Sequence, residues 1–261
     1  MNLIGEPVKH KTFGKGIITD FTKNKVTVCF DENQKRFLYP DAFSQYLTLQ
    51  NCTIQRKIDE VNNERLEIIE QKKKREREEY DHRHRLHTMK ITERSQVAFN
   101  ISPKEIQKIM ASGLIETGYY LSGKMKGNPR IPSGLQPNSA VLLTGCNENT
   151  NEEGRRILGV FMVGEYFWGN ECNDGQVKLH KQYKFILKPE NTIYFWNYFK
   201  QDVIPTRWGK VPFKYFQNQT MQKILLDICK VVSNTEQAQS VDEFYRYFCT
   251  MNRLPKIKPT I

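Results

Sequence analysis

Residues 119–130, Tyr-Tyr-Leu-Ser-Gly-Lys-Met-Lys-Gly-Asn-Pro-Arg, carry the best phosphate-binding chemistry in this chain. Gly123 and Gly127 let a backbone come close to a ligand. Lys124, Lys126 and Arg130 supply cations, and Tyr119 or Tyr120 offers a ring on which a base can stack. The spacing is not that of a P-loop, because Gly-x-x-x-x-Gly-Lys-Ser/Thr is absent. Two later stretches, Trp208-Gly209-Lys210 and Phe213-Lys214-Tyr215-Phe216, interleave rings with lysines, a pattern of single-strand and flipped-base binders. With Trp168, the expected nucleic-acid contacts are Tyr120, Lys124, Lys126, Arg130, Trp168, Trp208, Lys210 and Lys214. Taken singly, each of these rings would serve equally well in packing, and each lysine on a solvated loop.

Charge points the same way. The 261 residues hold 40 Lys or Arg against 29 Asp or Glu, a formal net charge of +11. Residues 96–261 contribute 21 basic and 14 acidic residues, so most of the excess lies there. Such a surface suits a polyanion or an acidic protein.

Catalytic patterns are missing. There is no Gly-x-Ser-x-Gly, no His-Glu-x-x-His and no zinc-deaminase signature. His180 is the only histidine of residues 96–261, a thin basis for acid–base chemistry. Glu152, Glu153 and Asp174 fall in polar turns, and nothing near Cys146 marks an activated thiolate. The six cysteines form no Cys-x-x-Cys pair, and the helix-spaced His84 and His87, with His82 pointing elsewhere, do not complete a metal set. No cofactor or metal is expected. No apolar run approaches a membrane span, and no apolar leader opens the chain, so a cytoplasmic location with reduced thiols is expected.

The elements that must position these residues centre on 138–169. Ala140–Leu143 and Ile157–Val163 are short apolar runs parted by the polar loop Asn147–Gly154. They read as buried strands of a β-hairpin, with Gly159 and Gly164 marking a bulge or a close approach. Before them, Ser102, Pro103 and Glu105 open a helix as N-cap, first residue and capping box, and Gly113 ends it. After them, Gln176–Leu187 alternates as one or two strands, and Ile193–Phe199 is an aromatic cluster for the core. Met221, Ile224, Leu225, Ile228 and Val232 line a helix. Ser240 and Glu243 cap a last one that buries Phe244, Phe248 and Met251 and stops at Pro255 and Pro259.

Residues 51–95 are a different material. They have 12 basic and 10 acidic residues, almost no Gly or Pro, and a ragged apolar stripe of Ile54, Ile58, Val61, Leu66, Ile68 and Ile69. This is a long charged helix, a linker or short coiled coil, with a homodimer through 54–69 as one use of the stripe.

Residues 4–49 show short strands at Val8–His10, Gly16–Phe21, Val26–Phe30 and Phe37–Tyr39, then a helical turn from Pro40. The pattern Gly5-x-x-Val8-x-His10-x-x-Phe13-Gly14-x-Gly16-x-Ile18, then Val26-x-Val28-x-Phe30, resembles the Tudor-like module that ends UvrD/PcrA-type helicases. Phe37-x-Tyr39-Pro40-Asp41-Ala42-Phe43 resembles free-standing bacterial versions of it. No helicase motif accompanies it, and about a sixth of the chain is covered. The resemblance implies an SH3-like barrel that docks a protein, RNA polymerase being the partner of related barrels, or nucleic acid. It implies His10, Phe13, Lys15 and Tyr39 as contacts; His10 and Phe13 could instead simply shape the barrel. Residues 115–190 are similar in layout to PUA-like barrels of the ASCH and EVE kind, which bind RNA or a modified base.

The fold class expected is therefore α+β in modules: a small SH3/Tudor-like barrel over 1–50, a charged helix over 51–95, and a basic, β-rich α/β domain with C-terminal helices over 96–261. The function expected is non-enzymatic: the barrel docks a protein and the basic domain binds DNA or RNA. The alternatives are a nucleic-acid-processing enzyme, with its site between the 119–130 loop and the 140–163 hairpin, and a pure protein-interaction adaptor.

Overall fold

Strand β8, Ala140–Gly145, is buried at every position. A strand that reads Ala-Val-Leu-Leu with no polar alternation needs cover on both faces, and the fold supplies it. The computed structural model describes residues 2–31, 33–146, 151–199 and 207–257 and resolves into two compact units, Met1–His87 and Thr88–Ile261. Residues 147–150 of the hairpin loop and Pro259 lie outside the described residues.

In the second unit β6 (Gln96–Asn100), β7 (Leu114–Glu116), β8, β9 (Arg156–Val163), β10 (Gln176–Ile186) and β11 (Phe213–Phe216) form one sheet in the order β11-β6-β8-β9-β10-β7. The expected hairpin is there: β8 and β9 pair antiparallel, Ala140 opposite Met162 and Leu142 opposite Val160. Only β6 and β8 run parallel. The sheet curls into a half-barrel. A side chain built on Gly118, just past β7, would stand 3.7 Å from Pro212, just before β11, although these strands are the two ends of the order. Gly159 marks a close approach: a Cβ there would meet Phe185 O at 2.7 Å. It also adjoins a bulge, since Leu143 pairs with Gly159 and Thr144 with Ile157, leaving Leu158 as the extra residue of β9; a second register shift, where β10 pairs with β9, falls between Leu179 and Lys184.

Alternation along the strands sends side chains to two cores. Ala98, Ala140, Leu142, Val160 and Met162 pack with helices α4 (Asn218–Val231) and α5 (Ala238–Met251). Val97, Phe99, Val141, Leu143 and Phe161 pack with Ile109 of helix α3 (Glu105–Ser112) and with Leu135 of the 117–139 segment. Two helix starts differ from the sequence reading. α3 begins at Glu105, after a turn, yet the reciprocal cap forms: Ser102 N donates to Glu105 Oε2 at 2.7 Å. α5 begins at Ala238, and Ser240, already inside it, donates its hydroxyl to Gln237 O. Gly113, at φ +66°, ends α3 in the left-handed conformation that glycine adopts without strain.

The first unit is an antiparallel sheet of β1 (Pro7–His10), β2 (Gly14–Phe21), β3 (Lys25–Phe30), β4 (Asn33–Leu38) and β5 (Leu47–Leu49), ordered β4-β3-β2-β1-β5. Strand β5 was not foreseen; three residues are too few for a legible alternation. Helix α1 (Asp41–Gln45) precedes it, starting after Pro40 as expected. Gly16 is forced by packing: a Cβ would lie 2.7 Å from both Cys29 O and Phe30 Cδ1.

Helix α2 (Cys52–Thr88) is one 37-residue helix, about 55 Å long at the usual rise. Its stripe is used only at the start. Ile54 and Ile58 pack into the core of the first unit, Asn62 Nδ2 donates to Pro40 O at 3.1 Å, and Arg65 pairs with Asp41. Burying Ile58 alone contributes about 2 kcal/mol. Val61, Leu66, Ile68 and Ile69 are exposed.

One local device occurs in both units. In His10-Lys11-Thr12-Phe13, His10 Nδ1 accepts from Thr12 N at 2.9 Å and Phe13 N at 3.1 Å. In His180-Lys181-Gln182-Tyr183, His180 Nδ1 accepts from Gln182 N at 3.1 Å and Tyr183 N at 3.0 Å. The imidazole then lies against the ring three residues on, at 4.6 Å and 4.7 Å. An Nδ1 that accepts leaves the proton of the neutral ring on Nε2.

His10 must be neutral to hold its turn, and burial keeps its pKa below the ordinary histidine value. The unfolded chain binds the proton more readily, so the contribution is complete above about pH 6.5 and is lost as pH falls below it. Stability of the first unit, followed by amide hydrogen exchange, is expected to be flat from pH 8 to 6.5 and to decline below. His10→Gln should remove that decline. Stability that instead rises on acidification would refute the assignment.

Candidate nucleic-acid interface

All of the expected contacts but Trp168 divide into two groups on opposite faces of the sheet. Residues 118–130 fold back on themselves: Tyr119 bridges Pro129, Tyr120 N donates to Asn128 O, and Arg130 N donates to Gly118 O. Thr117 Oγ1 ties the base of this loop to Gly175 O. Arg130 lies over the Tyr120 ring at 5.0 Å and donates from Nε to Tyr119 O, while Lys124 and Lys126 are exposed. Tyr120 is close enough to Tyr215 to add to the upward shift that burial gives the Tyr215 phenol. Tyr215 in turn accepts from Gly134 N, which places this group on the α3 face.

Trp168 stands apart, in a cleft of about 370 Å³ lined also by Tyr166, Glu171, Asp174 and Lys178. Its neighbourhood carries two carboxylates, which disfavour a phosphate. Trp208 is 3% exposed. The Arg155 guanidinium sits 4.8 Å from its ring centroid and the Lys214 ammonium 5.0 Å, and its Nε1 donates to Val211 O. That ring is used inside the protein. Lys210 is exposed beside it.

The Trp208 cluster forms at the carboxyl ends of the parallel strands β6 and β8. Arg155, 3% exposed, forks onto Glu152 through Nε and, at 2.9 Å, through Nη2, and donates from Nη1 to Asn100 Oδ1 at 2.7 Å. Trp196 Nε1 donates to Glu152 O. Cys146 donates weakly to Glu152, and burial, the largest influence, pushes its thiol pKa up, so the residue is no thiolate.

From this cluster a groove runs to the start of α4. Two adjoining cavities, about 220 and 710 Å³, share Phe199 and Phe216 as walls. Trp196 and Lys214 line the smaller one; Arg94, Tyr198 and Lys223 line the larger. Lys223 lies 5.8 Å over the Tyr198 ring. The pKa of Lys214 is held below that of an ordinary lysine, first by burial and then by Arg155, with Glu152 opposing. The negative charge of a phosphate arriving there would offset both effects. The groove thus has a floor of rings and three cations on its walls.

No family model matches the chain. No curated protein or solved structure matches it either. Its chemistry therefore has to be read from its own side chains.

Other concavities serve less well. A cavity of about 260 Å³ opens on Asn218 and Asn252. These amides already belong to a buried network: Asn218 Oδ1 accepts from Ser95 and Gln96, and Asn252 Oδ1 from Gln96 and Asn138. They clamp α4 and α5 to the sheet. His180 faces Glu165 at 3.4 Å, and Tyr247 donates to the same oxygen at 3.2 Å. No hydrogen bond joins this trio to the 119–130 loop among the described residues, and no three His, Cys, Asp or Glu there could hold a metal. In the first unit Tyr39 packs on Phe21 and Phe43, whereas His10 and Phe13 belong to a separate aromatic cluster. Among the described residues no helix is long and apolar enough to cross a membrane.

Sequence reasoning found Lys214 but missed Arg94, Tyr198, Phe199 and Lys223. The pairing of Phe216 with Gln96 brings Arg94 beside α4 across more than a hundred residues, which no local pattern announces. Phe199 sat in the cluster read as core, and Lys223 on the solvent side of a helix.

Proposed function

We propose that this is a non-enzymatic binding protein whose C-terminal unit holds single-stranded DNA or RNA along the Phe199–Phe216 groove, and whose N-terminal unit docks a protein partner. The observation that carries the reading is the combination in one groove of the half-buried rings of Trp196, Tyr198 and Phe199 with Arg94, Lys214 and Lys223. Bases of any identity can stack on such rings while cations follow the backbone, which gives affinity without strong sequence preference. The net charge of +11 adds long-range attraction. For the N-terminal unit the helicase-module resemblance implies a protein partner, RNA polymerase being that of related barrels, or nucleic acid.

The test is anisotropy of a labelled single-stranded oligonucleotide with the full chain across a salt series. Three phosphate contacts predict that log K falls with log salt at a slope of about −2. A flat response would exclude the mechanism.

A further inference from the structure

At the end of the N-terminal sheet a cluster of rings continues outward from the core residues Phe30 and Phe37 to two rings that lie outside that core. His10 is its hub: Phe37 lies 5.2 Å from it, Phe30 5.8 Å and Tyr46 6.0 Å, beside Phe13 at 4.6 Å. The cluster opens to solvent at two rings, Phe13 at 46% exposed and Tyr46 at 50%. Both are anchored. Phe13 is held by the His10 turn, and Tyr46 O accepts from Lys11 N at 3.1 Å. Rigid, partly exposed aromatic rings of this kind are the usual centre of a protein interface.

The rim is basic. Lys11 and Lys15 flank Phe13 in sequence, and Lys35 reaches over the Phe13 ring with its ammonium 5.5 Å from the centroid. All three are exposed, and 10–15, 33–37 and 46 hold no acidic residue; the acidic neighbours in sequence are Asp31, at the β3–β4 turn, and Glu32. Lys35 already covers a face of Phe13, so a base would have to displace it to stack there. A side chain set against the exposed parts of the Phe13 and Tyr46 rings would leave that contact in place, and a carboxylate beside it would pair with Lys35.

We propose that this end of the N-terminal unit docks an acidic peptide segment that inserts one aromatic or aliphatic side chain between Phe13 and Tyr46 while its carboxylates meet Lys11, Lys15 and Lys35. The inference rests on the reading of this unit as a protein-docking module and names the chemistry of its partner. Charge sets the rate and orientation of encounter, and the inserted side chain sets the lifetime.

The test is a selection of random peptides displayed on phage against the immobilised full chain, followed by measurement of the recovered peptides in solution. The expected result is enrichment of sequences with Asp or Glu flanking an aromatic or leucine residue. Their affinity should fall at least tenfold with Phe13→Ala, and as much with Lys35→Glu, at an exposed position on the edge strand β4. Enriched peptides that need Phe13 but lack acidic residues would overturn the proposed chemistry and leave the docking module standing. No peptide that depends on Phe13 would overturn both. Loss of oligonucleotide binding with Phe13→Ala would assign the patch to nucleic acid and overturn the proposal.

Discussion

Replacing Arg155 with methionine is expected to destabilise the C-terminal unit by about 3 kcal/mol, the low end for breaking a buried ion pair. Arg155 is 4% exposed at its side chain and Glu152 28%, so water can reach one partner and the cost stays short of the fully buried limit. The loss has three parts. Glu152 keeps its charge without its fork, Asn100 Oδ1 loses its donor, and the Trp208 ring loses one of its two cations. For a unit of this size the shift in Tm is about 10 °C. Trp168, Trp196 and Trp208, the only tryptophans, all lie in this unit, so their fluorescence reports its unfolding. Adding Glu152→Gln should restore part of the loss, because the stranded charge is then gone. A loss below about 1 kcal/mol for Arg155→Met would mean that the cluster is solvated.

The triple variant Arg94→Gln, Lys214→Gln, Lys223→Gln is expected to bind a single-stranded oligonucleotide about a thousandfold more weakly than the parent. A hydrogen bond to a charged group contributes about 1.5 kcal/mol, so three give about 4.5 kcal/mol. The salt slope should fall from about −2 to near zero at the same time. The comparison variant Lys124→Gln, Lys126→Gln removes two cations from the exposed loop on the other face of the sheet. If that variant loses the binding and the groove variant keeps it, the interface lies on the 119–130 loop, where sequence reasoning put it. Loss in both would point to a diffuse charge effect rather than a groove.

How much was legible in the sequence follows from how local each signal is. The hairpin of β8 and β9 announced itself because a strand covered on both faces must be continuously apolar. The end of α3 was readable because only glycine sits comfortably at its left-handed cap. The 37-residue helix was readable from its charge pattern, although not that Ile54 and Ile58 would be absorbed by the sheet before it while Ile68 and Ile69 were left exposed. The groove was not readable. It depends on β11 pairing with β6, and on which side of the sheet each alternate residue of Phe213–Phe216 faces. That register separates Lys214 from Tyr215, neighbours in sequence, and with them the two groups of residues that composition had merged into one site. Trp208 shows the same ambiguity from the other side: a Trp beside Gly and Lys reads as a stacking platform, and here two cations inside the protein occupy it.

The paired histidine turns bear on how these sheets can change over time. The hydrogen bonds that His10 Nδ1 and His180 Nδ1 accept come from residues two and three places along, so each imidazole is set by its own turn, while Lys11 N and His180 Nε2 reach outward to Tyr46 O and Glu165. Four residues, His-Lys-x-aromatic, are thus a local cassette that sets the direction of a ring. In the first unit that ring projects at the sheet's open end; in the second it stacks against Tyr247 at 3.9 Å. The same phrase can therefore present a ring outward or pack it inward, and the neighbours alone decide which. A hairpin elsewhere could acquire a fixed, outward aromatic by gaining those four letters, with no rebuilding of its core.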